Sequence, residues 1–253
     1  MSQVNKAQSF KEMHQKGAPL VLYNIWDAGS AKTIVDAGAA AVATGSWSVA
    51  AAQGYKDGHR IPLDFVLQIV ERIAQTVDVP LSVDFEGAYA ETPSDVHQNV
   101  TRIINAGAIG INFEDQIVGG QGLHPVSDQV ARIKAARAAA DDTGVPLFIN
   151  ARTDVFLKTP RDASHATFLD EALDRATAYA DAGADGFFVP GLTDFDLIQK
   201  VTDHVALPVN VMMLGAFSSP KAAAEHGVSR VSFGPQPYGK AMADLADRFQ
   251  HIS

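Results

Sequence analysis

Two short signatures alternate along this chain, and their alternation constrains its fold more than any other feature. The first is a proline followed by apolar residues: Pro19-Leu20-Val21, Pro80-Leu81-Ser82-Val83, Pro146-Leu147-Phe148-Ile149 and Pro208-Val209-Asn210-Val211. The second is a glycine at the end of a helix-like run: Asp36-Ala37-Gly38-Ala39, Asn105-Ala106-Gly107-Ala108, Asp181-Ala182-Gly183-Ala184 and Glu225-His226-Gly227-Val228. Each has a local cause. Glycine suits the left-handed residue that ends a helix, and proline at the first residue of a strand loses no ladder hydrogen bond. The prolines recur at intervals of just over sixty residues, which is two βαβ steps of about 30 residues each. Four such pairs make eight strands. Helical periodicity fills the intervals, as in Phe65 to Ile73 and Val130 to Arg137. Strand and helix alternating eight times predict a closed parallel (β/α)8 barrel of the TIM type. An open doubly wound sheet is the alternative, but it wants G-x-G-x-x-G after its first strand. Here that strand ends in Asn24-Ile25-Trp26-Asp27-Ala28-Gly29-Ser30.

A length of 253 residues, 47% of them hydrophobic, suits one catalytic barrel domain over residues 1–253. The polar segment from Leu157 to Phe168 reads as a long loop, and Phe233 to Gly239 as a turn into a last helix beginning near Lys240. A net charge of -9 argues against a nucleic-acid partner, which lysine and arginine would have to neutralise. The chain has no cysteine, so disulfides, thiolate metal sites and cysteine nucleophiles are excluded. The polar first residues lack the apolar run of a secretory signal, and no stretch reaches the ~18 apolar residues of a membrane span. The expectation is a cytoplasmic protein with no membrane partner.

Barrel strands are buried on both faces, so ionisable residues near their ends call for a reason. Side chains alternate with period two along a strand. Ser82, Asp84 and Glu86 are then expected on one face, as are Asn112 with Glu114, and Asn150 with Arg152; Asn210 follows the same logic. The charged members fall at the C-terminal ends, the rim where barrel enzymes keep their chemistry. The loop after the second strand adds Asp57, so that Asp57, Asp84, Glu86 and Glu114 crowd one sector. At roughly 8 Å and an effective dielectric near 20, each ionised pair repels by about 2 kcal/mol, more than Arg152 alone offsets. Either some acids are protonated or a cation lies among them, and all-oxygen ligands suit Mg2+ or Mn2+ rather than Zn2+. Pairing with arginine or lysine around the rim is the alternative.

At these residues the sequence resembles the isocitrate lyase / phosphoenolpyruvate mutase superfamily. The matching runs are Asn24-Ile25-Trp26-Asp27-Ala28-Gly29-Ser30-Ala31, Gly54-Tyr55-Lys56-Asp57-Gly58, Val83-Asp84-Phe85-Glu86-Gly87-Ala88-Tyr89, Gly110-Ile111-Asn112-Phe113-Glu114-Asp115, Ile149-Asn150-Ala151-Arg152-Thr153-Asp154 and Val189-Pro190-Gly191. The resemblance implies a Mg2+ ion bound directly by Asp84, with Asp57, Glu86 and Glu114 reaching it mostly through water. It implies that Arg152 clamps a substrate carboxylate and that backbone N–H groups of Thr44, Gly45, Ser46 and Trp47 bind the oxo-acid end. It also implies that Asn210 contacts a small carboxylate substrate. The implied chemistry makes or breaks a bond to C3 of a 2-oxo or 2-hydroxy acid through a pyruvate-like enolate. The implied assembly is a homo-oligomer, a dimer or a tetramer that exchanges its last helices.

Two departures stand out. The family usually has Asp where this chain has Glu86. Isocitrate and methylisocitrate lyases carry Lys-Lys-Cys-Gly-His after the fourth strand, whereas this chain reads Gln116-Ile117-Val118-Gly119-Gly120-Gln121-Gly122-Leu123-His124-Pro125. The lysine and asparagine of the phosphonomutase and phosphonopyruvate hydrolase branches are missing there too. The expectation is a Mg2+-dependent carbon–carbon lyase or decarboxylase of a small oxo-acid. A phosphonomutase or phosphonopyruvate hydrolase, or a catalytically silent carboxylate-binding protein, is the alternative. His124, after a Gly-rich lid, and Tyr23, in the first strand, are the candidate proton donors, each also readable as a non-catalytic loop or packing residue. Trp47 either walls the pocket or fills the barrel top.

Overall fold

The computed structural model describes residues 1–160 and 162–252. Its strands are β1 (Leu20–Leu22), β2 (Val42–Ala43), β3 (Leu81–Asp84), β4 (Gly110–Glu114), β5 (Phe148–Arg152), β6 (Gly186–Phe188), β7 (Val209–Met212) and β8 (Arg230–Ser232). Its helices are α1 (Gln3–Glu12), α2 (Ala28–Asp36), α3 (Ser46–Ala52), α4 (Leu63–Thr76), α5 (Pro93–Asn105), α6 (Val126–Thr143), α7 (Val155–Lys158), α8 (Leu169–Asp181), α9 (Phe195–His204), α10 (Pro220–Glu225) and α11 (Gln236–Gln250). The strands pair in parallel in the order β1-β8-β7-β6-β5-β4-β3-β2. Just beyond β1 the ring closes on itself. Ile25 bridges Thr44 in parallel, its N–H donating to the Ala43 carbonyl at 2.8 Å. Asn24 clasps this seam: Nδ2 donates to the Thr44 carbonyl at 2.9 Å, and Oδ1 accepts from the N–H groups of Phe233 and Gly234 at 2.8 and 2.9 Å. The result is the (β/α)8 barrel that the alternation predicts.

Both signatures act as their chemistry suggests. Gly38, Gly107, Gly183 and Gly227 follow helices with φ of 102°, 107°, 100° and 75°, backbone that side chains rarely tolerate. Pro80 and Pro208 enter the ladder through their carbonyls, which accept from the N–H groups of Val42 and Phe187 at 2.9 Å. The outer helices bury one stripe each, such as Val66, Ile69, Val70 and Ile73 on α4 and Val96, Val100, Ile103 and Ile104 on α5. At the N-terminal end of the barrel, Phe10 of α1 meets the Phe148 ring edge-on at 5.5 Å. Above that plug the interior turns polar, with Ser82, Asn112, Asn150, Asn210 and Arg230 all buried.

Three expectations are corrected. Leu157 belongs to α7, and His165–Phe168 form a 3-10 turn, so the expected loop is shorter than Leu157 to Phe168; Arg161 lies outside the described residues. The last helix begins at Gln236, ahead of Lys240, because Pro235 and Pro237 preset its first turn. Period two does not carry past Asp84, where β3 ends; Glu86 sits in a turn with φ of 50°. Beyond its first turn α11 stands away from the barrel, with every residue from Met242 to Gln250 exposed. Among the described residues no helix is long and apolar enough to cross a membrane.

Candidate active site

At the C-terminal ends of the strands lies a cavity of about 200 Å³. Gly45, Ser46, Trp47, Asp57, Asp84, Asn112 and Arg152 line it, together with Asn24, Leu157, Phe188, Pro190, Met212, Ser232, Gly234 and Pro235. Asp84 is its best-anchored acid. The Ser46 N–H donates to Asp84 Oδ2 at 3.0 Å, Asn112 Nδ2 donates to Oδ1 at 3.3 Å, and the Asp84 N–H donates to Thr44 Oγ1 at 2.9 Å. Thr44 is thus a buried brace for Asp84. The Gly45 N–H is committed to the Ile25 carbonyl at 3.2 Å. The expected N–H cradle for substrate therefore gives way, at Gly45 and Ser46, to donors that fix the protein's own seam and acid.

Glu86 is 4% exposed and reaches this sector through a strained turn. Among the described residues, His59, Glu86, Ala88 and Tyr89 are the non-glycine residues with positive φ, at 57°, 50°, 60° and 54°, and strain of this kind persists only where surroundings over-determine it. Here they do. His59 Nε2 accepts from the N–H groups of Gly87 and Tyr89 at 3.1 and 3.3 Å, while Arg132 Nη2 donates to the carbonyls of Gly87 and Ala90 at 2.8 and 3.0 Å. Burial and the Arg132 charge push His59 down to about 4, which keeps Nε2 a neutral acceptor. The Glu86 carboxylate accepts from the His59 N–H at 2.9 Å and from the Tyr89 hydroxyl at 3.3 Å.

Charge in this sector is unbalanced. No basic side chain among the described residues pairs with Asp57 or Glu86. Desolvation and the Asp84 charge raise Asp57 above the usual carboxylate range. Burial first, then Asp57 and Asp84, raise Glu86 to about 7. Burial raises Glu114 to about 8 against the pull of Arg152. Below them Arg230, fully buried, donates to Asn112 Oδ1 at 3.1 Å, and burial lowers it to about 9.

Arg152 is held differently from the expected clamp. Its Nε and Nη2 form a fork on Asp154 at 2.6 and 2.9 Å, while Nη1 meets Glu114 at 2.9 Å and Asp84 at 3.8 Å. Rim pairing and a cation-seeking cluster thus coexist. Arg152 sets one positive charge against Asp154, Glu114 and Asp84 together, and leaves Asp57 and Glu86 with no basic partner among the described residues. Asp154 is itself fixed by buried Asp115, whose Oδ1 accepts the Asp154 N–H at 3.0 Å and whose Oδ2 accepts from the Tyr179 hydroxyl at 2.8 Å and Arg175 Nη1 at 3.2 Å. Asp115 and Asp154 stand inside motifs the sequence displays, but no rule of spacing singles them out as the holders of Arg152.

The excess acids fit a hard divalent cation. Their ligating atoms are all oxygen, and the repulsion that raises Asp57 and Glu86 is the kind a cation relieves. Among the described residues no three acidic or histidine side chains gather closely enough to ligate one ion together. Asp57 and Asp84 are the acids of this set that line the cavity, Asp84 hydrogen-bonded to Asn112, so water and substrate would complete the shell, as Mg2+ prefers.

Other expected residues fall elsewhere. Tyr23 lines an outer groove with Trp26 and Pro237 and packs on Phe233 at 5.1 Å, which removes it from the barrel mouth. His124 opens onto a neighbouring cavity with His59, Tyr89 and Arg132 rather than the mouth cavity. Asn210 is buried under the cavity with its Oδ1 accepting from the Ser232 hydroxyl at 3.2 Å, and its Nδ2 has no partner. Trp47 walls the cavity, 44% exposed and edge-on to Tyr238.

The (β/α)8 barrel thus carries acids and an arginine on one sector of its rim, and comparison with known proteins places the chain in a superfamily of lyases and mutases. Residues 10–253 match the phosphoenolpyruvate phosphomutase family. The chain belongs to that family, within the isocitrate lyase / phosphoenolpyruvate mutase superfamily. A crystal structure of a candidate phosphonomutase from Burkholderia cenocepacia J2315 is 46% identical, with a TM-score of 0.96 and full coverage of both chains. The 2-methylisocitrate lyase of Salmonella typhimurium is 31% identical over 85% of this chain and 73% of its own length. A phosphonopyruvate hydrolase solved with oxalate and Mg2+ shares the fold at 22% identity and a TM-score of 0.86, over 98% of this chain and 86% of that one.

Proposed function

We propose that the protein is a Mg2+-dependent lyase or decarboxylase that breaks or forms a bond to C3 of a small 2-oxo or 2-hydroxy acid. The observation that carries this reading is the surplus of Asp57, Asp84 and Glu86 beside a 200 Å³ cavity whose other charged side chain is Arg152. Asp84, braced by Ser46 and Asn112, would hold the ion, with Asp57, Glu86 and Glu114 the acids whose charge it would offset. When bound, Mg2+ supplies Lewis acidity toward the substrate oxygens. Arg152 offers its Nη1 corner to a carboxylate in competition with Glu114. For a 2-oxo acid, cleavage sends the electron pair of the breaking bond to C3, from which it spreads onto the C2 oxygen as an enolate, and the departing carbon leaves as carbon dioxide or a carbonyl compound; for a 2-hydroxy acid, the C2 hydroxyl loses its proton, C2 departs as a carbonyl, and the pair left on C3 is taken up by a carboxylate that C3 carries. With Tyr23 and His124 facing other spaces, this reading assigns the proton for C3 to solvent at the open rim.

The test is to incubate the protein with Mg2+ and oxaloacetate, methylisocitrate-like acids or phosphonopyruvate, scoring release of pyruvate or glyoxylate. Loss of turnover in Asp84→Ala is the expected result, and turnover that survives it overturns the assignment. A silent panel with Mg2+-dependent oxalate binding would favour the carboxylate-binding alternative. The phosphonomutase alternative draws on the Burkholderia likeness, and phosphonopyruvate turnover alone would favour it.

We also propose a homo-oligomer. Met242, Leu245, Phe249 and Ile252 form an exposed apolar stripe on and after α11, and Tyr23 exposes apolar surface in a groove with Pro237 and Ala241 at its root. A second copy of the chain is the occupant proposed for both. Sedimentation should give a dimer or tetramer that Leu245→Glu with Phe249→Glu converts to monomer; a monomeric wild type would refute this.

A further inference from the structure

The Gly-rich segment from Gln116 to His124 lies off the mouth cavity, yet it touches three of the segments that carry acids. It is folded as a tight hairpin. Gln116 and Leu123 bridge antiparallel, the Ile117 N–H donates to the Gly122 carbonyl at 3.2 Å, and the Gly120 N–H donates to the Ile117 carbonyl at 3.0 Å. The base of the hairpin is tied to the end of β4. There the His124 N–H donates to the Asp115 carbonyl at 2.8 Å, and the His124 carbonyl accepts from Arg175 Nη1 at 3.0 Å. From this base Gln116 Nε2 reaches Glu114 Oε1 at 3.2 Å.

Val118, half-buried, reaches the other two segments. Its Cγ1 lies 3.7 Å from where a Cβ on Gly58 would stand, and its Cγ2 lies 3.3 Å from where one on Gly87 would stand. Gly58 follows Asp57 and Gly87 follows Glu86, the two acids with no basic partner among the described residues. One methyl group therefore rests on each of the two segments whose charges repel.

We propose, on the metal-dependent reading above, that Val118 is a positioning residue that fixes the spacing between the Asp57 loop and the Glu86 turn, and through it the affinity of this sector for the cation. Two carboxylates of like charge drive their segments apart unless packing holds them. A β-branched side chain suits that task, because its stiff χ1 places both methyls at once. Gly87 is gripped by His59 and Arg132 as well, whose Cε1 and Nη2 lie 3.2 and 3.3 Å from the same Cβ position, so Val118 ties the Asp57 loop to a turn that is already fixed. The segment after β4 thus serves the site through packing, with no reacting side chain of its own in the cavity.

The test is Mn2+ binding to the intact protein followed by electron paramagnetic resonance, with urea denaturation in EDTA beside it. Val118→Ala, which removes both methyls, should weaken the Mn2+ Kd by about tenfold, the scale on which residues that orient metal-binding groups act. Val118→Ile, which keeps both, should bind like the wild type, and the urea midpoint in EDTA should stay close to wild type in both variants. If the wild type binds Mn2+ and Val118→Ala binds within about twofold of it, the positioning role is wrong and the metal-dependent reading stands. Weakening of the same size in Val118→Ile, or weaker binding that comes with a markedly lower urea midpoint, would also overturn it, the latter by assigning Val118 to the fold. If the wild type binds no Mn2+, both readings fall.

Discussion

Replacing Glu86 by glutamine in metal-free protein should stabilise the fold, because this carboxylate is buried without a counter-charge. Burial and the charges of Asp57 and Asp84 hold it near 7, against 4.5 for an ordinary glutamate. A group whose folded value is raised is protonated more readily in the folded chain, so folded stability falls as pH rises from about 4.5 to about 7 and stays low above that. At about 1.4 kcal/mol per pH unit, the gap corresponds to about 3 kcal/mol at pH 8. Glutamine keeps an acceptor for the His59 N–H and an amide for the Tyr89 hydroxyl while carrying no charge. Urea denaturation in EDTA should therefore show Glu86→Gln about 2–3 kcal/mol more stable than wild type at pH 8, narrowing to below about 1 kcal/mol at pH 5. Excess Mg2+ should stabilise the wild type more and close the gap. A variant less stable than wild type at pH 8, or a gap that does not change with pH, would refute the claim that Glu86 carries uncompensated charge.

Further outcomes follow from other parts of the molecule. Arg152→Lys cannot reproduce the fork on Asp154 together with the Glu114 contact; oxalate affinity in Mg2+ should fall by about tenfold or more, and a Kd within twofold of wild type would refute the role. His14 is buried between Phe10 and Phe148 and lowered to about 3, by burial first and then by Arg230. A lowered histidine stays neutral in the fold, so stability should fall as pH drops from about 6.5 toward 3, by about 1.4 kcal/mol per pH unit, with His14→Phe flattening that slope in acid denaturation. Gly38 and Gly107 share a left-handed backbone, but a Cβ on Gly107 would meet Ala74 Cβ at 2.6 Å and one on Gly38 meets nothing within 4 Å. Gly38→Ala should cost about 1–2 kcal/mol and Gly107→Ala roughly 1–3 kcal/mol more, read by urea midpoints; equal costs would refute the crowding.

The barrel was legible because its punctuation is local. Gly38, Gly107, Gly183 and Gly227 need left-handed backbone wherever the rest of the chain goes, and Pro80 and Pro208 accept ladder bonds but donate none. Asp84 and Arg152 were legible for a similar reason, since a charge at the end of a buried strand has few places to go. Glu86 was placed in the right sector by an alternation that stops before it, because the turn that delivers it depends on His59 and Arg132 from distant segments. The fork between Arg152 and Asp154 needs buried Asp115 and, through it, Tyr179 of α8, a three-body arrangement that no periodicity encodes. Tyr23 and His124 lie on other spaces than the mouth cavity, and sequence could not show this: a residue just past a strand end can face inward or outward, and a loop residue far beyond β4 has no periodicity to orient it. At Tyr23 the chain has already left β1, and the ring lies on the outer groove with Phe233.

Electron paramagnetic resonance of Mn2+ in place of Mg2+ tests most directly whether these acids gather a cation that in turn holds an oxo-acid. The account requires one tightly bound Mn2+ per chain, line broadening on adding 17O-labelled oxalate, and loss of both signals in Asp84→Ala. Unbound Mn2+ in the wild type, or binding and broadening that persist in Asp84→Ala, would contradict it.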